Sequence, residues 1–249
     1  FERSVYCLKA YLMLEDGSVY EGTARGDFKE TACEIVFNTS MTGYVEILTD
    51  PSYAGQGVVM TYPMIGNYGI SREDFESERL QPSAFIVHEL SSDPSNFRCT
   101  DTIENLLKEY NIPCISGVDT RAVVKKLRES GTMRGVLTSD IGDRERLMDV
   151  IKSFRQIDLV GSVTAKQTKV YGEKNTGAEI ALMDFGTKRN IINNLVKRNC
   201  IVTVYPSFTS ADEIIKTSPD GIMLSNGPGD PSECVDIIKE IKKLYDYGI

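Results

Sequence analysis

Seven residues, Ser225-Asn226-Gly227-Pro228-Gly229-Asp230-Pro231, hold the most suggestive chemistry in this sequence. An apolar run over residues 221–224 leads into them, and a helical pattern over residues 232–245 leads out. Asp230 is placed as a helix N-cap, Pro231 suits the first helical position, and Glu233 sits where a capping box wants its acid. The spacing predicts a strand, a sharp turn and a helix N-terminus. Gly227 and Gly229 let the backbone take angles closed to other residues and bring its N–H groups close to a ligand. Donors so arranged suit a carboxylate, a phosphate or a developing oxyanion. A plain βα turn with a good cap would show the same spacing. Gly-x-Gly also opens the dinucleotide fingerprint. Here, however, Ser232 replaces the third Gly, Pro228 lies inside the loop, and the loop follows a late strand rather than the first.

The totals narrow the class of molecule around this loop. A chain of 249 residues has room for one large or two ordinary domains with a proper core. Hydrophobic content of 41% with 26% charged residues is that of a soluble globular protein. A net charge of -8 argues against a nucleic-acid-binding surface and against anionic membrane. The six cysteines (7, 33, 99, 114, 200 and 234) are scattered, with no Cys-x-x-Cys pair. Reduced, mostly buried thiols in a cytoplasmic protein fit them better than a disulfide framework. The apolar stretch 6–14 is short and interrupted by Lys9, so it predicts neither a signal peptide nor a membrane span.

The elements that must position the loop divide the chain by pattern. Residues 11–20 predict a β-hairpin around Asp16-Gly17. Strands are expected over 34–38, 58–62 and 84–90, with a turn at 48–53 and a long loop at 63–69. From about Thr100 the pattern turns to helices (102–110, 120–130 and 144–154) alternating with strands near 113–116 and 133–137. Asp119 is expected to cap the second of these helices and Gly131 to close it. The apolar period disappears between residues 161 and 178, where a linker is expected. Strands at 179–183, 200–205 and 221–224 then alternate with helices at 188–197, 210–217 and 232–245. That alternation predicts a parallel, doubly wound sheet. Three such units leave a parallel sheet unfinished, and the chain reads as truncated at Ile249. The expected class is therefore α/β: a β-rich α/β domain over 1–160, then an incomplete doubly wound domain over 179–249.

Several separate strings share one resemblance. They are Glu15-Asp16-Gly17; Val36-Phe37-Asn38-Thr39-Ser40-Met41-Thr42-Gly43-Tyr44; Glu46 through Tyr53; Tyr62-Pro63 with Ile65-Gly66-Asn67; Ser95-Asn96-Phe97-Arg98; and Asp119-Thr120-Arg121. In the second half, Asp184-Phe185-Gly186 with Lys188-Arg189-Asn190 joins the Gly227 loop. Together, in this order, they resemble the small, glutamine-hydrolysing subunit family of carbamoyl phosphate synthetase, within the class I glutamine amidotransferases. The resemblance implies a chain that hydrolyses L-glutamine and passes ammonia to a large synthetase subunit. That partner uses ATP, magnesium and bicarbonate to make carbamoyl phosphate for pyrimidine and arginine synthesis, and no cofactor is implied in this chain. Carried over by position, Gly227 and Gly229 match the loop whose backbone binds glutamine and helps form the oxyanion hole, and Ser52 matches the serine that reaches the bound glutamine.

The sequence departs from the family pattern at the nucleophile. The family's Gly-x-Cys-x-Gly and its His and Glu partners follow the last helix, so they are expected beyond Ile249, and no glutaminase activity is expected of these 249 residues alone. Cys234 and Cys200 read as packing thiols, and His88, the sole histidine, as a sheet-surface or structural residue. Arg121 and Lys125 read as a solvated basic face or a contact for the large subunit, and Asp184 and Lys188 as the capped start of a helix. The competing functional readings are a purely regulatory or scaffolding subunit and a nucleotide-binding Rossmann protein.

Overall fold

A computed structural model of the chain describes residues 8–248. Cys7 and Ile249, on which two of the expectations above bear, lie outside them. By its internal contacts the chain forms two units: Phe1–Thr49 with Gly55–Arg155, and Asp50–Ala54 with Gln156–Ile249.

The first unit opens with the hairpin of β1 (Lys9–Leu14) and β2 (Val19–Gly26). Asp16 Oδ1 accepts from Ser18 N at 2.9 Å, and Gly17 takes a φ of +85° that only glycine adopts cheaply. There follow β3 (Thr31–Asn38), α1 (Tyr44–Thr49), β4 (Gln56–Met60), β5 (Met64–Ile65), β6 (Ala84–Ile86), β7 (Glu89–Leu90), α2 (Ile103–Glu109), β8 (Pro113–Ser116), α3 (Thr120–Ser130), β9 (Met133–Thr138) and α4 (Arg144–Ser153). Seven strands close into a barrel in the order β1-β2-β8-β6-β4-β3-β9. Pairing is parallel across β3, β4, β6 and β8 and antiparallel elsewhere. Closure leaves no free sheet edge to template unwanted pairing. Alternate residues (Leu12 and Leu14, Cys33 and Ile35, Ala84 and Ile86) enter one fully buried core that also takes Val123 and Leu127 of α3. Side-chain caps fall where expected: Asp119 accepts from Ala122 N at 3.0 Å, and Gly131 closes α3.

Two expectations are corrected here. Residues 84–90 are not one strand. β6 stays in the barrel, but Glu89 N donates to Pro63 O, so β7 leaves to pair with β5 in a separate two-stranded sheet. The pivot is His88, whose carbonyl accepts from Gly117 N and whose Nδ1 lies 3.0 Å from Val118 O, which makes it structural. Residues 48–53 are not a simple turn either. They hold the end of α1 and a 3₁₀ turn, Pro51–Tyr53, capped by Asp50. A six-residue helix has too little local propensity to show in a sequence pattern.

The second unit contains α5 (Leu159–Val163), β10 (Lys169–Tyr171), β11 (Glu179–Asp184), α6 (Arg189–Lys197), β12 (Ile201–Pro206), α7 (Ala211–Ile215), β13 (Gly221–Leu224) and α8 (Val235–Tyr247). Its sheet runs β10-β12-β11-β13, with β11 parallel to both neighbours and β10 antiparallel at the edge. Alternation along β11 sends Ala181 and Met183 to a core with α7 and α8, and Leu182 to the opposite face with α6. Helices therefore cover both faces, as in a doubly wound sheet. β10 lies within the stretch that shows no apolar period. It is an exposed edge strand held by register with Val202–Val204, a partner distant in sequence. Asp230 caps a 3₁₀ turn (Pro231–Glu233) rather than the long helix, since its side chain accepts from Ser232 N; α8 begins one turn later, without a side-chain cap.

Among the described residues no helix is long and apolar enough to cross a membrane. The five described cysteines are free, and Cys33 and Cys114 are fully buried.

Two outcomes test this architecture. Ile86→Ala removes a fully buried core side chain and should cost about 2–5 kcal/mol in urea unfolding; a loss below about 1 kcal/mol would show a core less closely packed. Burial pushes the Cys33 thiol from its ordinary 9.0 up to about 12. The folded chain thus keeps a proton that the unfolded chain releases, so this contribution to stability is full below pH 9 and falls as pH rises toward 12. Alkylation of native protein at pH 8 should spare Cys33 and Cys114; rapid labelling of either would contradict their burial.

Candidate functional site

The parallel strands β11 and β13 end side by side, and the turn after each is built by polar side chains. In doubly wound sheets ligands bind at these carboxyl ends. After β13, Ser225 N donates to Met183 O at 3.2 Å, and Ser225 Oγ accepts from Phe185 N at 2.9 Å, tying the two turns together. Asn226 comes next. Its Nδ2 donates to Ser52 Oγ at 2.8 Å and to Gly186 O at 3.1 Å. Gly227 is packed so closely that a Cβ would collide with the Phe185 carbonyl oxygen, and Gly229 takes a φ of +79°. Each glycine is required for a different reason: one for close approach, the other for backbone conformation. Their N–H groups make no hydrogen bond within the described residues and lie on exposed backbone. A cavity of about 250 Å³ opens beside them, lined by Asp158, Leu159, Ser207, Gly229 and Cys234 among others.

The turn after β11 is organised by Asp184, a side chain that sequence reading placed at a helix start. Instead it is buried and accepts three backbone bonds: Gly186 N at 3.0 Å and Thr187 N at 2.7 Å on Oδ1, and Ala165 N at 2.7 Å on Oδ2. Helix α6 begins at Arg189, and Lys188 at its N-cap position makes no side-chain capping bond, so the expected capped start is corrected. Lys188 turns to Asp50, with Nζ 2.6 Å from Oδ2. The other Asp50 oxygen accepts from Ser52 N at 2.9 Å. That pair accounts for a finding the sequence did not suggest: residues 50–54 pack as part of the second unit although first-unit residues flank them on both sides.

Ser52 and the Gly227 loop are therefore brought together; Ser52 meets Asn226, 174 positions away. Pro51 and Pro228 both lie against Gly186. Sequence reasoning assigned no site role to Asn226 or Asp50 and read Lys188 only as part of a helix start. Their signal was present, since each lies within a quoted string, but which partner each takes depends on tertiary contact. Among thiols, Cys234 is half-buried just before α8, and its pKa is raised, first by burial and then by the charges of Glu233, Asp158 and Asp230. It keeps its proton and has no base beside it, as a packing thiol should. Cys200 is likewise half-buried, immediately before β12. In the first unit Arg121 and Lys125 are exposed along α3, bordering a groove with Thr39, Thr61 and Arg128.

Residues 12–137 match the family model of the carbamoyl-phosphate synthase small chain, CPSase domain, and residues 181–249 match that of glutamine amidotransferase class-I. The chain is 48% identical over 238 residues to the carbamoyl phosphate synthase small chain of Clostridium perfringens, covering 95% of this chain and 67% of that one. This chain belongs to the carbamoyl phosphate synthase small chain family. Other small chains agree: that of Listeria monocytogenes is 45% identical over 246 residues and that of Staphylococcus saprophyticus 48% over 247. In each case the match covers 97% of this chain and 67% of the relative. As a small chain it is an enzyme component, the glutaminase subunit of the synthase, and the Gly227 loop lies within its amidotransferase part.

Gly229→Ala should cost about 1–2 kcal/mol, because a Cβ at this φ meets the following carbonyl. Thermal unfolding of the variant measures it; an unchanged midpoint would mean that the loop relaxes to an ordinary conformation.

Proposed function

We propose that Ser52 and the backbone of Gly227 and Gly229 bind L-glutamine, which the small chain hydrolyses to glutamate and ammonia for a large synthetase subunit. One observation carries this reading: the Ser52 hydroxyl is hydrogen-bonded to Asn226, next to two glycines with unused N–H groups. The cluster offers hydrogen-bond donors on a strand-end turn, the arrangement that suits an anionic group. Glutamine presents a carboxylate, and its amide carbonyl becomes an oxyanion when attacked.

Among the described residues no cysteine has a histidine base beside it, so these residues bind and orient rather than attack. Donors of this kind act without a metal or organic cofactor; ATP and magnesium belong to synthesis on the large subunit. The partners proposed are glutamine and that subunit, with neither nucleic acid nor membrane, and the compartment proposed is the cytoplasm.

Ser52→Ala in the full-length small chain, paired with the large subunit, tests the assignment. Loss of one neutral hydrogen bond, about 0.5–1.5 kcal/mol, should raise KM for glutamine roughly 2- to 12-fold. Synthesis from free ammonia should be unaffected. An unchanged KM would remove Ser52 from the site.

A further inference from the structure

We infer that Asn226 is a positioning residue: it holds the acceptor side of the Ser52 hydroxyl and so directs its proton toward the substrate. The inference rests on the reading of Ser52 as a glutamine contact and adds the group that gives that contact its polarity.

The orientation of the Asn226 amide follows from its neighbours. A carbonyl oxygen only accepts, so the atom 3.1 Å from Gly186 O must be the nitrogen. The same nitrogen lies 2.8 Å from Ser52 Oγ. With the amide flipped, Oδ1 would face the Gly186 carbonyl and one favourable bond would become a repulsion. Both amide hydrogens are thereby committed, one to each partner. Asn226 Oδ1 is buried without a partner among the described residues. The amide therefore leaves its oxygen unsatisfied to place both donors, so the donors set its orientation.

The consequence lies at Ser52. A hydroxyl has one proton and two lone pairs, and here one lone pair is taken by Asn226. Its proton must point away from that nitrogen, and no acceptor for it exists among the described residues. Asp50, the neighbouring carboxylate, is occupied by Ser52 N and Lys188. What remains is a hydroxyl donor held by Asn226, the residue that precedes Gly227, whose N–H, like that of Gly229, makes no hydrogen bond among the described residues. A group met by donors alone is an acceptor oxygen; glutamine offers two, its α-carboxylate and its amide carbonyl, and of these the charged carboxylate is the stronger acceptor for a fixed hydroxyl donor. Without Asn226 the hydroxyl could rotate, and its donor would be lost for part of the time.

A double-mutant cycle tests this in the full-length small chain with its large subunit, reading glutamine KM and kcat. Asn226→Ala should raise KM several-fold. Asn226→Asp, which offers an acceptor that turns the Ser52 proton inward, should raise it at least as much as Ser52→Ala does. In both variants kcat at saturating glutamine should stay within about 3-fold of the parent. In a Ser52→Ala background neither change should raise KM further by more than about 2-fold, because residues acting through one group are not additive. Urea midpoints confirm that each variant is folded. If either Asn226 variant is not, Asn226→Ser, which keeps a short donor, takes its place in the cycle. An unchanged KM in Asn226→Ala, or the same multiplication of KM with and without the Ser52 hydroxyl, would overturn the inference while leaving the glutamine reading intact. An unchanged KM in Ser52→Ala would overturn both.

Discussion

One buried carboxylate at the end of β11 shapes the candidate site. Asp184 accepts three backbone N–H groups, two from the turn that follows it and one from Ala165. A charged acceptor removed from water must be met by donors, or its burial is costly. These donors come from two separate stretches of chain, so satisfying the carboxylate fixes both. The turn it fixes presents the Gly186 carbonyl to Asn226 and the Phe185 carbonyl to Gly227. The glycine loop after β13 is thus shaped against a neighbouring strand end that is itself held by Asp184.

A second charge contact extends this order to an unexpected segment. Lys188 and the Ser52 amide share the carboxylate of Asp50, whose side chain is only 7% exposed. Residues 50–54 pack with the second unit through this pair and through the hydroxyl–amide contact of Ser52 and Asn226. The candidate site in the second unit is therefore built partly from chain that lies, in sequence, between residues of the first. The proline and the Asp cap make the segment a short, preset 3₁₀ turn, which limits the freedom lost when it docks.

The two units solve the problem of sheet edges differently. In the first, seven strands close on themselves, and the parallel steps are made by long crossovers that carry α1 and α2. In the second, helices cover both faces of a four-stranded sheet, and the short strand β10 lies along the outer side of β12. Both solutions bury alternate residues, and in the second the ends of the parallel strands β11, β12 and β13 emerge together on one side. That is where a doubly wound sheet can hold a ligand, and the Asp184 and Asn226 turns emerge there.

Much of this was open to a reader of the residues alone. Local chemistry determined the Asp16-Gly17 hairpin, the Asp119 cap, the strand–helix alternation from residue 179 onward, and the glycine loop with its family resemblance. These rest on turn conformation, capping and periodicity, which act within a few residues. Tertiary structure decided what local signals cannot encode. Barrel closure depends on pairings such as β2 with β8, where Thr23 faces Ser116 across the fold. The break at His88 depends on which sheet edge each half finds, and β10 exists only because β12 is beside it. Asp184 looked like a helix cap because its offset to α6 was right; the donors that won it belong to Ala165 and to its own turn. Gly227 and Gly229 could be named as necessary from sequence, but only the packed structure separates one kept for close approach from one kept for its backbone angle. The meeting of Ser52 with Asn226 is set by folding alone, since nothing local links residues 174 positions apart.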